Sequence, residues 1–256
     1  VSISKTGFDF GISFEAAQDY YHNVRYELSQ SKTTESSKTA TSITGENGAQ
    51  ILTSAASYVV GQDRLDNRLD PSEGTLFELR QELAGIGGDA KFYKVTGKAA
   101  YYRPVNFNAL FFGVKGRASQ VVGLGEKVTQ SQRFFLGGRD VRGFALSGIG
   151  PRDTGSKAAV GGNTLVTGSV EVVSHLGLSK DLNMRWTVFS DFGSVWGTDY
   201  PSGVTGAKDK SIRSSVGVGL LWDTVVGPLS FYWANPVSKK SYDKTKTFQF
   251  TIGTRL

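Results

Sequence analysis

Phe8-Asp9-Phe10-Gly11-Ile12-Ser13-Phe14-Glu15 alternates a large apolar side chain with a small or charged one at every step. Successive Cβ atoms of a strand point to opposite faces, so this run carries one apolar face and one polar face. A helix would scatter the same apolar groups around its circumference. Residues 7–15 therefore read as a strand with unlike surroundings on its two sides. The link Ala17-Gln18-Asp19 then leads into 20–30, where Val24, Tyr26 and Leu28 oppose Asn23, Arg25 and Glu27.

The same period marks 50–61, 75–83, 91–102, 107–117, 162–174, 183–195, 212–222, 228–236 and 247–254, giving about eleven strands in all. One large residue breaks the pattern: Phe189 falls on the polar face of its strand. Long amphipathic helices are absent from the pattern. The expected fold is all-β and antiparallel, and two architectures fit it. A soluble sandwich buries its apolar faces against each other. A transmembrane up-and-down barrel turns them to lipid and keeps a wet lumen. Here the polar faces carry Gly, Ser, Thr and charges, and aromatics gather near strand ends. Links tend to alternate between short (17–19, 103–106, 175–181, 223–227) and long (31–48, 118–160, 197–211, 237–246). Short turns on one side and long loops on the other are the barrel's signature. Two links, 63–74 and 84–90, break that rule. Heat-modifiable migration on a denaturing gel distinguishes the two architectures.

Composition fits the barrel. The chain has no Cys, so thiolate and disulfide chemistry are excluded. Its net charge of +6 is spread over loops and strand ends instead of forming a nucleic-acid stripe. No run is long and apolar enough for a membrane helix. An odd strand count leaves the start of the first strand and the end of the last on opposite sides of the membrane. Residues 1–256 are therefore expected to form the C-terminal part of a larger barrel. Val1–Glu15 and the last strand would then be open edges.

The long loop, 118–160, carries Phe134-Phe135-Leu136-Gly137-Gly138-Arg139-Asp140-Val141-Arg142-Gly143-Phe144. Glycines 137, 138 and 143 permit sharp turns. Val141-Arg142-Gly143-Phe144 offers a forked cation between apolar groups, and such a cation favours bidentate carboxylate partners. A flexible surface loop with an incidental arginine is the alternative.

Further stretches are Gly148-Ile149-Gly150-Pro151-Arg152-Asp153, Gly161-Gly162-Asn163, Ser169-Val170-Glu171-Val172, Asp191-Phe192-Gly193-Ser194-Val195-Trp196, Gly227-Pro228-Leu229 and Phe248-Gln249-Phe250-Thr251-Ile252-Gly253. In this order and spacing the set resembles the outer-membrane-protein assembly factor (BamA) family, within the superfamily that includes two-partner secretion transporters. The resemblance covers the whole chain and is most specific over 134–256. It implies a Gram-negative outer-membrane location and no catalytic residues. It implies a loop that starts outside and pins itself inside the lumen. It also implies a weak barrel seam that templates incoming client strands by edge pairing. The seam strand would hold Phe248, Phe250, Ile252 and Gly253, the last free to kink. Implied partners are outer-membrane lipids, unfolded outer-membrane protein clients and periplasmic lipoprotein subunits, with no nucleic acid and no cofactor. The resemblance also implies a whole barrel of about sixteen strands, with the family's first strands and periplasmic repeat domains outside this sequence. The chain ends Thr254-Arg255-Leu256, where an aromatic last residue is usual in the family; a non-aromatic Leu256 weakens that end as an insertion signal.

Strand parity puts Glu171 and Asp191 on the lumen face of neighbouring strands, where Arg142 could bond both. The alternative is that the two acids merely line a watery pore. Lumenal Arg25, Lys94, Lys98, Arg185 and Arg213 suit an anion-preferring passive pore or a secretion transporter, although the long loop would occupy such a pore. As a carboxylate pair, Glu171 and Asp191 also have the composition of a glycosidase site. His22 and His175 lack metal-ligand spacing, no Gly-x-Ser-x-Gly elbow occurs, and Gly148-Ile149-Gly150 lacks the helix that a phosphate cradle needs.

Overall fold

The computed structural model of the chain describes residues 2–34, 49–68, 70–105, 110–176, 184–200, 202–224 and 227–253. Eleven strands form one antiparallel sheet: β1 (Ser2–Ala17), β2 (Tyr20–Thr34), β3 (Gln50–Asp63), β4 (Gly74–Ala84), β5 (Phe92–Val105), β6 (Leu110–Gly123), β9 (Thr164–His175), β10 (Met184–Trp196), β12 (Arg213–Thr224), β13 (Gly227–Ser238) and β15 (Phe248–Ile252). Each pairs with the next in that order. Among the described residues, β1 and β15 each keep one unpaired edge. Four two-residue strands lie outside the sheet: β7 (Gly143–Phe144) with β14 (Thr245–Lys246), and β8 (Arg152–Asp153) with β11 (Val204–Thr205).

Register explains the two faces. Phe8 lies opposite Leu28, Phe10 opposite Tyr26 and Ile12 opposite Val24, so the apolar rows of β1 and β2 merge. Phe8, Phe10, Ile12 and Phe14 are 52–68% exposed. Further along the sheet Leu79, Val188, Val218, Trp233 and Phe250 are exposed in the same way. A soluble monomer rarely exposes an apolar patch beyond about 600 Å². An apolar face running round eleven strands requires hydrocarbon as its solvent. His22 belongs to that outer face, stacked on Phe14 and hydrogen-bonded to the Tyr58 hydroxyl at 2.6 Å.

The opposite face is concave. Ala100, Tyr102, Phe111, Val173 and Leu221, from four different strands, gather there into one cluster with Leu65, Leu76 and Tyr232. Chain direction sorts the links between two rims. One rim carries 85–91, 124–163, 197–212 and 239–247, and the other carries 18–19 and 64–73.

Several expected boundaries shift. The loop expected at 118–160 runs from 124 to 163, because β6 continues through Ala118–Gly123 along β5, with Ser119 and Val121 turned inward. Arg103-Pro104-Val105, expected in a turn, are the last residues of β5. The loop expected at 31–48 starts later, since β2 runs to Thr34; residues 35–48 and the Thr254-Arg255-Leu256 tail lie outside the described residues.

Candidate functional site

From β6 the long loop passes a 3-10 turn at Gln130–Gln132 and then folds back on itself. Phe134 bridges Gly162, and Leu136 bridges Ile149. The descent ends in a glycine turn. Gly137, Gly138 and Gly143 have φ of +125°, +66° and +91°. A Cβ on Gly137 would stand 2.2 Å from the Ala145 carbonyl oxygen, so this turn admits no side chain there.

The turn separates the tip's side chains into different environments. Val141 and Phe144 are fully buried among Leu136, Ile149, Leu165 and Val195, part of the cluster that fixes the tip to the inner wall. Between them Arg142 points to β9 and β10. Its Nε and Nη2 donate to the two carboxylate oxygens of Asp191, each at 2.7 Å, and its backbone N–H donates to Asp191 Oδ2 at 2.9 Å. Nη2 also donates to Ser169 Oγ at 3.1 Å, and Ser169 in turn donates to Asp191 Oδ1 at 2.7 Å. This is the bidentate fork geometry that favours arginine over lysine.

The two acids are unequal. Glu171 approaches Arg142 Nη1 only to 3.5 Å and also faces Lys115 Nζ at 3.8 Å. Asp191 holds the cation, and Glu171 balances two cations beside it. The side chains of Arg142 and Asp191 are 7% and 1% exposed. Removing one member of such a pair leaves a buried unpaired charge, at a cost of about 3–5 kcal/mol.

Phe189 explains its place on the polar face. Its ring lies under the guanidinium, 3.3 Å from Cζ to the ring centroid, and Tyr232 meets that ring edge-on. A dry cation–π contact of this kind contributes about 2 kcal/mol. Both rings need seats on β12. Gly217 pairs with Phe189 and Gly219 with Tyr232, and a Cβ at either glycine would come within 2.6 Å of the ring beside it. Sequence reading marked Phe189 as an exception and passed over Tyr232; an aromatic facing glycine on the lumen side was the available signal.

The tip also reaches the last strand. Gly143 and Phe144 pair with Lys246 and Thr245, and Gln249 Nε2 of β15 donates to the Phe144 carbonyl at 2.7 Å. Gly143 lies so close to β13 that a Cβ would stand 3.3 Å from Ala234. Phe248, Phe250 and Ile252, on the other face of β15, are exposed. Gly253 follows with φ of +109° and open space around its Cα.

Outside the strands, the rim loops anchor this assembly. Arg213 Nε donates to Asp243 at 3.0 Å, and Tyr242 and Asp209 complete the cluster. Burial alone would raise the Asp209 carboxyl, but hydrogen bonds from Ser211 and Tyr242 and the charge of Arg213 hold it below the usual carboxylate range. Burial, then the bond to Asp209, pushes the Tyr242 phenol up to about 12.

The cations expected to line a pore are engaged with partners. Arg25 meets Asp9, Lys98 meets Glu78, Lys94 donates to Gln132, Arg185 meets Asp70 and Asp223, and Arg213 meets Asp243. Among the described residues, no group of acids and histidines is placed to hold a metal.

A lipid-facing antiparallel sheet with an in-folded, arginine-clamped loop defines the class: a transmembrane β-barrel with an occupied lumen. The sequence profile of the Omp85 superfamily domain matches residues 1–256, and the chain belongs to that superfamily. It is 34% identical over 254 residues to the outer membrane protein assembly factor BamA of Neorickettsia risticii, covering 97% of this chain and 34% of that protein. With BamA of Neisseria meningitidis it shares 29% over 220 residues, covering 76% of this chain and 28% of that one. A sorting and assembly machinery component 50 homolog of Mus musculus is 30% identical over 143 residues, 55% of this chain and 30% of its own length. The crystal structure of BamA from Haemophilus ducreyi lacking POTRA domains 1–3 superposes with a TM-score of 0.82 at 26% identity, covering 98% of this chain and 54% of that one. The chain thus spans about a third of the length of the first curated relatives it matches.

Proposed function

We propose that this chain forms part of an outer-membrane barrel that assembles and inserts other β-barrel proteins in a Gram-negative bacterium. The observation that carries this reading is the double attachment of the loop tip. Arg142 is fixed to Asp191 on the wall, and Phe144 is fixed to Gln249 on β15. The last strand of the sheet is thereby gripped from inside, while its other edge, among the described residues, offers unpaired backbone groups. Such an edge can accept a client strand by main-chain pairing. Further strands of the same barrel meet the unpaired edges of β1 and β15 when the wall is closed, and periplasmic repeat domains precede them. The client is an unfolded outer-membrane protein, the surroundings are outer-membrane lipid, and periplasmic lipoproteins are accessory subunits. The Val141-Arg142-Gly143-Phe144 tip, with Glu171 and Asp191, sets how firmly the seam is held. A passive pore fits less well, because the lumenal cations are engaged and the loop occupies the lumen.

The test is client folding by the full-length protein reconstituted in liposomes. Arg142→Ala should reduce insertion of a model barrel client at least several-fold while the variant's own barrel still migrates as folded. Undiminished insertion by a folded Arg142→Ala protein would remove the tip from the mechanism.

A further inference from the structure

The β3–β4 link breaks the rule of short turns on its rim, and although Asp66, Asn67 and Arg68 are exposed, its described residues are tied to one another. The ladder continues past the strands: Arg64 N–H donates to the Thr75 carbonyl at 2.8 Å, and Asp66 N–H to the Glu73 carbonyl at 3.1 Å. The Asp66 carboxylate then collects the N–H groups of Asn67, Ser72 and Glu73 at 2.9–3.1 Å together with the Ser72 hydroxyl. Asp63 accepts from the Leu65 N–H and the Arg68 guanidinium, which lies over the Tyr21 ring. These bonds make a stiff projection with a defined direction.

The direction is inward. Leu65 packs against the inner-face cluster of Ala100, Tyr102, Phe111, Val173 and Leu221. Asp70 reaches the guanidinium of Arg185 on β10, which also donates to Asp223 on β12 at 3.2 Å. Arg185 is 6% exposed, against 34% and 32% for the two acids. Along the sheet β10 is four strands from β4, about 19 Å of wall at about 4.8 Å per strand. A turn hanging from its own hairpin would not meet that residue; one crossing the mouth of the lumen does. Two cavities remain between this turn and the loop: one of about 80 Å³, bounded by Asp70, Pro71, Arg139 and Arg142, and one of about 480 Å³, bounded by Leu65, Arg68, Arg139 and Asp140.

We propose that the β3–β4 turn is a second plug, a permeability barrier at the short-turn mouth of the lumen, seated by Leu65 and latched to Arg185 by Asp70. It rests on the reading of the chain as a barrel wall and not on assembly activity. The two plugs act in series: the loop tip stops the lumen from the long-loop side, and the turn stops it from the other. Because Arg185 keeps Asp223 when Asp70 is changed, the latch can be released without leaving a buried cation unpaired.

The experiment is single-channel recording of the full-length protein in planar bilayers, with heat-modifiable migration as the folding control and client insertion measured in parallel. With the loop tip released by Arg142→Ala in the same protein, Asp70→Lys, which sets two cations together, should raise the frequency and size of openings several-fold over Arg142→Ala alone. Replacing residues 66–72 by a two-residue Asn-Gly link should do the same without a new charge. Combining either change with Arg142→Ala should exceed each single variant. If neither turn change, in a folded protein, raises conductance above that of Arg142→Ala alone, the turn is not a plug. Failure of client insertion by the wild-type protein would overturn the assembly reading and leave the plug's test intact.

Discussion

Two arginine–aspartate pairs sit on the same inner face and differ in what covers them. Arg25 and Asp9, on β2 and β1, are 3.5 Å apart with side chains 46% and 51% exposed. Arg142 and Asp191 are 2.7 Å apart and 7% and 1% exposed, roofed by the folded-back loop and floored by the Phe189 ring. Charge, chemistry and position relative to lipid are shared. The first pair is screened by water and contributes little. The second is committed, because each partner is costly to leave alone once water is excluded. The loop therefore determines which of the many lumenal ion pairs carries structural weight.

The sharpest way to break this contrast is Asp191→Asn, which keeps the shape and removes the charge. It should destabilise the folded barrel by about 3–5 kcal/mol, read as the temperature at which the compact gel species converts to the unfolded one. A loss below about 1 kcal/mol would put the two pairs in the same class. Next in size is Gln249→Leu, which removes one of two donors to the Phe144 carbonyl, the other being the Gly138 N–H. A cost of about 1 kcal/mol is expected, read by the same thermal gel assay.

Acidity sharpens the contrast at the rim. The Asp209 carboxyl is depressed in the folded chain, so its stabilisation is present above the unfolded value near pH 4 and is lost as pH falls further. The Tyr242 phenol is raised, so its contribution is present below about pH 10 and is lost as pH climbs towards about 12. Protease cutting at Lys240 and Lys244 should therefore be slowest between about pH 4 and 10 and rise on both sides. A flat profile would mean that the cluster does not hold these loops. The smallest effect belongs to Asp9→Asn, about 0–1 kcal/mol by the same thermal assay as Asp191→Asn.

Much of the wall could be read from residues alone, because a strand between lipid and water must alternate at every step. Phe8 to Glu15 shows this, and eleven strands follow from the same rule. The end of β6 was harder to see, since Ala118-Ser119-Gln120 offers little contrast between its faces. Glu171 and Asp191 could be put on the right face by parity, but not ranked. Their inequality comes from Lys115, which competes for Glu171, and from Ser169, which braces Asp191. Phe189 looked like an error in the pattern until the loop supplied a cation to lie on it. The pairing of Gly143–Phe144 with Thr245–Lys246 left no trace in local sequence, because residues a hundred positions apart meet over only two steps of ladder.

The ring seats on β12 carry an evolutionary consequence. Any single replacement of Gly217 or Gly219 adds a Cβ where Phe189 or Tyr232 already lies. Neither position can drift alone; a substitution survives only alongside a smaller partner on the neighbouring strand. Hybrids that exchange β10 or β13 between relatives should therefore fail unless β12 travels with them, and the three strands should be inherited as a block.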